Sequence, residues 1–85
     1  MPAPPASAYE AAQRALAVVA AQARGDYPAA EQLLGTFDDD ACKASAFFLA
    51  SQIAVRMLAD ALDQDVDTCA SDLAVALAAA AINPD

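Results

Sequence analysis

Residues Asp38 to Asp63, DDDACKASAFFLASQIAVRMLADALD, decide the fold. The stretch holds no Gly or Pro, opens on an acidic cluster and contains many of the large apolar residues. Ser45, Gln52, Arg56, Asp60 and Asp63 recur at helical spacing and share one stripe. Phe48, Val55 and Leu62 fall on the opposite side, flanked by Phe47, Ala54, Leu58 and Ala61. A helix of this length spans roughly 35–40 Å, so the shorter helices are expected to pack along it. Leu49 interrupts the polar stripe, and Ala46, Ala50 and Ala54 form a row of small residues beside it. Two readings follow. Leu49 is a single exposed apolar residue of the kind most surfaces carry, or the row is a groove for self-association.

Working outward, Phe37 precedes the acidic cluster and is placed to staple onto Ala41 or Cys42. Asp38, Asp39 and Asp40 lie at the positive end of the helix dipole, where capping accounts for them without a ligand. Upstream, Ser7-Ala8-Tyr9-Glu10 has the form of a capping box. It predicts a first helix from about Ala8 to Arg24, with Leu16, Val19, Ala20 and Ala23 facing inward and Tyr9 and Ala12 preceding them on that stripe. Gly25 supplies a left-handed stop. Asp26 opens a shorter second helix with Pro28 in its first turn, Ala30, Leu33 and Leu34 inward, and Gly35 at its end.

Downstream, Gln64 and Asp65 make a turn. Asp65 or Asp67 caps a last helix of about Val66 to Ala81, with Val66, Cys69, Ala70, Leu73, Ala76 and Leu77 inward. Asn83-Pro84 ends it. The expected fold is all-α: a small four-helix domain over residues 7–82 with a long third helix. The last two helices form an antiparallel hairpin, and residues 1–6, MPAPPA, are a flexible arm. That arm lacks the basic and long apolar regions of a signal peptide, and a cytoplasmic location is expected.

Composition limits what this fold can do. Of 85 residues, 26 are Ala. Ala favours helix but buries little area, so the core is thin and a homodimer is expected. The net charge is −8, with only Arg14, Arg24, Lys43 and Arg56 positive. Direct binding to nucleic acid or to an anionic membrane is disfavoured, whereas a basic protein partner is permitted. There is no His, and Cys42 and Cys69 lie near the starts of successive helices. A hairpin separates them well beyond the ~7 Å that a disulfide spans, so both are expected reduced. Two thiols without His do not complete a zinc site. Asp63, Asp65 and Asp67 match three positions of a calcium loop, but Thr68 and Ala74 stand where Gly and Glu are needed. No phosphate loop or nucleophile–base pair occurs, and neither enzyme activity nor a cofactor is expected.

Three resemblances bear on this reading. Gly25-Asp26-Tyr27-Pro28-Ala29-Ala30 resembles the GDYxxA turn of tetratricopeptide repeats. It covers six residues, no second copy occurs, and one repeat does not bury its own face. Acyl carrier proteins open a mid-chain helix with Asp-Ser-Leu, whereas here Ser71-Asp72-Leu73 lies late and in another order. Across most of the chain, ARGDYPAAEQLLG followed by AFFLASQIAVRMLADALDQD resembles small all-α proteins of actinobacteria and their phages. No activity comes with that likeness. The function expected is a non-enzymatic protein–protein interaction module, a homodimer that binds a cellular or host protein. Its interaction residues are Ala46, Leu49, Ala50, Ala54, Val75 and Ile82. The alternative is an acidic antagonist covering the basic surface of a nucleic-acid-binding protein.

Overall fold

A computed structural model describes residues 4–82. The described residues form four α-helices and no strand. They are α1 (Ala6–Ala23), α2 (Tyr27–Leu34), α3 (Asp40–Ala61) and α4 (Val66–Ile82). The all-α class, the four helices and the long third helix are as the sequence reading expects. The first half of the arm and the Asn83-Pro84 stop lie outside the described residues.

The helix ends follow from local chemistry. Expected to cap α1, Ser7 instead lies inside its first turn, because the helix starts two residues earlier, from Pro5, and no side chain caps it. At the other end Gly25 has φ +75°. Its N–H donates to Gln22 O and the Asp26 N–H to Ala21 O, the paired bonds of a Schellman stop. Asp26 then caps α2 by accepting from the Ala29 N–H at 3.2 Å. Of Asp38, Asp39 and Asp40 at the start of α3, Asp39 is the cap, its Oδ1 accepting from the Cys42 N–H at 2.7 Å. A second Schellman stop ends α3: Gln64 N–H donates to Ala59 O and Asp63 N–H to Asp60 O. Here the left-handed position is taken by Asp63, φ +54°. Asp65, not Asp67, caps α4, accepting from the Thr68 N–H at 2.7 Å.

The chain divides into two compact units, Met1–Gln52 and Ile53–Asp85, with the boundary inside α3. The first unit holds two small cores. In one, Ala12 and Ala15 of α1 meet Phe37 and Ala46 and Ala50 of α3, with Ala11, Phe47 and Leu49 against them. In the other, Val18 and Ala21 of α1 meet Ala30 of α2, with Ala29, Leu33, Leu34 and Phe47 around them. The α2 face is therefore the one expected. That of α1 is so only at Ala12: Leu16, Val19, Ala20, Ala23 and Tyr9 are exposed, and from Ala12 the buried stripe runs on through Ala15, Val18 and Ala21. Alanines at the contact let helix backbones approach closely, whereas Leu16 and Val19 would hold them apart.

The same exchange turns α3. Phe48 was expected to face inward and is 65% exposed, while the buried positions in this half are Ala46 and Ala50. Phe37 is buried and does more than staple a helix end. Its ring lies 6.2 Å from that of Phe47, tilted by 44°, and the Arg14 guanidinium carbon sits 4.8 Å from its centroid.

In the second unit, Ala59 and Cys69 are buried. Gln64 Nε2 donates to Asp72 Oδ2 at 3.3 Å across the turn. The inner face expected of α4 is not covered: Val66, Ala70, Leu73, Ala76 and Leu77 are all exposed, leaving Cys69 alone inside. Among the described residues of this unit no large apolar side chain is fully enclosed, which follows from so short a segment having too little chain to wrap a core of its own.

Candidate interaction surface

Two features of the surface carry chemical information. The first is a cleft of about 440 Å³ in the first unit, lined by Ser7, Ala8, Arg14, Phe37, Asp39 and Cys42 among others. Its one cation is already engaged. Arg14 Nη1 donates to Thr36 O at 3.0 Å and to Thr36 Oγ1 at 3.1 Å, and it covers Phe37. Thr36 Oγ1 in turn donates to Leu33 O at 2.6 Å. Arg14 thus ties α1 to the connection between α2 and α3.

The cleft's thiol and carboxylate shift each other in opposite directions. Asp39 is kept below the usual carboxylate range by the backbone N–H of Cys42, then by the Cys42 side chain. The Cys42 thiol is pushed up by its hydrogen bond to Asp39 and by the Asp39 charge. A thiol raised in this way stays protonated at neutral pH and is a weak nucleophile. Cys42 is exposed, Cys69 is buried, and both are free. Among the described residues, no three His, Cys, Asp or Glu side chains gather where a metal ion could sit.

The second feature is apolar. Three of the six interaction residues expected from sequence are structural: Ala46 and Ala50 belong to the first core and Leu49 packs against it. The groove anticipated beside Leu49 is filled by α1 of the same chain, through Ala12 and Ala15. Ala46 and Ala50 of that row are thus covered within the chain. Ala54, Val75 and Ile82 are exposed, as an interaction surface requires. Sequence reasoning missed Phe48 and Met57 on α3, and Leu73 and Leu77 on α4, which the fold leaves at the surface. A signal for the α4 pair was present. From Leu73 to Ile82 the sequence LAVALAAAAI has no polar side chain on any face, so no choice of inner face leaves a solvated outer one.

By length and composition alone, α3 is long and apolar enough to cross a membrane. It carries Lys43, Arg56 and Asp60 along its length, and its Ala46 and Ala50 are covered by protein. No family model, curated protein or solved structure matches the chain.

Proposed function

We propose that this chain is a non-enzymatic protein–protein interaction module of the cytosol. The observation that carries the reading is the exposure of large apolar side chains on otherwise well-formed helices: Phe48 and Met57 on α3, Leu77 and Ile82 on α4, each 65–79% exposed. Side chains of this size left in water forfeit ~1.5–3 kcal/mol each relative to burial. Large apolar side chains left at the surface are the material of which binding faces are made. In the cleft beside Cys42 the thiol is pushed up by Asp39 and Arg14 is bonded to Thr36, in keeping with this reading.

The acidic-antagonist reading has its own support in Asp38, Asp39 and Asp40, all exposed, on a chain of net charge −8. Salt separates the two. Binding through apolar faces persists at high salt, whereas binding through exposed charge weakens as the screening length shrinks. The test is retention of proteins from native cytosol on immobilised chain at low and high salt, with Phe48→Glu and Leu77→Glu as controls. A partner held at high salt and lost with either variant supports the apolar module. A partner lost by salt alone supports the antagonist. No specific retention by the wild type at either salt overturns both.

A further inference from the structure

We infer that the second half of α4, Leu73–Ile82, is covered by the same segment of a second copy of this chain, about a two-fold axis. This rests on the interaction reading and names the occupant of one of its surfaces.

Uncovered apolar surface comes first. In the second unit Leu62, Val75, Leu77 and Ile82 are each more than half exposed. A segment shorter than ~40 residues does not close a core alone, and oligomerisation is one of the usual remedies.

Charge selects the occupant. Leu73–Ile82 carries no charged side chain, so a basic protein has nothing there to pair with. An anionic membrane surface meets no Lys or Arg on α4 either. The run is ten residues, about 15 Å of helix, half of a bilayer's ~30 Å hydrocarbon core. A second copy is different. Two chains of net charge −8 repel over most of their surfaces, and this uncharged run lets them meet without opposing carboxylates. The alanines at 74, 76, 78, 79, 80 and 81 allow close helix approach. Leu73, Val75, Leu77 and Ile82 supply area on more than one side of the helix.

The experiment is sedimentation of the full chain at micromolar concentration, with circular dichroism on every variant. Wild type is expected to have twice the mass of one chain. Leu77→Glu, and independently Leu73→Glu, are expected to weaken the dimer by about a hundredfold or more, because a two-fold interface loses the residue twice. Val19→Glu, a comparably exposed apolar position on α1, is expected to remain dimeric. A dimer that survives both α4 variants, or one broken by Val19→Glu alone, overturns the assignment. So does a monomeric wild type. In that last case, thiol labelling of Leu77→Cys in a Cys42→Ser background tells which claim failed. Rapid labelling leaves the interaction reading standing without a second copy. Protection shows the chain covering its own α4, and the interaction reading loses this surface as well.

Discussion

Replacing Phe37 and Phe48 by Ala, one at a time, measures which face of the chain is inside. Phe37 is 8% exposed and Phe48 is 65% exposed. Truncating a buried Phe costs ~3–5 kcal/mol in lost transfer energy and residual cavity. Phe37 has further partners in the Phe47 ring and the Arg14 guanidinium, contacts of ~0.5–1.5 kcal/mol each. The sum rivals the whole stability expected for a chain of 85 residues, roughly 4–13 kcal/mol. Phe48→Ala removes a side chain that is mostly in water and should stay within about 0.5 kcal/mol of wild type. Urea titrations followed by far-UV circular dichroism make the comparison. With a slope near 1 kcal/mol per molar for so small a protein, Phe37→Ala should lower the midpoint by about 3 M or abolish the transition. Phe48→Ala should leave it nearly unchanged. A larger loss for Phe48→Ala than for Phe37→Ala refutes the placement of α3 against α1 and restores the face that periodicity alone suggests.

Asp63→Gly should raise stability by ~0.5–1 kcal/mol in the same titration, because an L-residue pays about that much to occupy the left-handed position at the end of α3; an unchanged or lower midpoint counts against the second Schellman stop. Cys42 should alkylate severalfold more slowly at neutral pH than an unstructured cysteine, and Asp39→Asn should speed it, since the Asp39 hydrogen bond and charge raise this thiol; Cys69, being buried, should react only after unfolding. Asp39 and Asp65 both have carboxyls held low by backbone N–H donors, of Cys42 and Thr68 respectively. Their contribution to stability is therefore fully present above the ordinary carboxylate pKa of ~3.9 and is lost as pH falls through the lowered folded values. The Asp39→Asn/Asp65→Asn variant, which keeps both caps but not their charge, should melt with a weaker acid dependence than wild type, and an equal dependence would show that other carboxylates govern it.

Element order was legible because its determinants are local. Gly25, Asp26, Asp39 and Asp65 each set a helix end through bonds spanning three to five residues, and such bonds require no knowledge of the rest of the chain. Helix rotation was not legible, and the reason is the alanine content. In an ordinary amphipathic helix the polar face excludes itself from the core, and one stripe remains. On α1 both the Leu16/Val19 side and the Ala12/Ala15/Ala21 side read as apolar. Ranking by side-chain size picks the first, whereas close approach of backbones picks the second. The Ser7 box failed for a related reason: Ala6 is as good a helix former as Ala8, so the helix ran past the expected cap.

One consequence follows for where this chain keeps its large apolar residues. A core lined by alanine is reached by small side chains from both helices, so bulk placed there would separate them. In the first unit the bulk is displaced outward, to Leu16 and Val19 on α1 and Phe48 on α3. Phe37 escapes because it lies before α3, where its ring closes the end of the contact instead of entering it. The close approach inside and the apolar surface outside are thus two results of one arrangement. Exchanging them should be possible in principle at a single contact: Ala46→Leu would force bulk into the Ala12/Ala15 contact at a penalty of ~1–3 kcal/mol. Leu16→Ala, at a half-exposed position, should change stability by only about 0.5 kcal/mol. If Ala46→Leu stabilised the protein instead, the α1–α3 contact would contain unfilled space, and the outward displacement of bulk would need another cause.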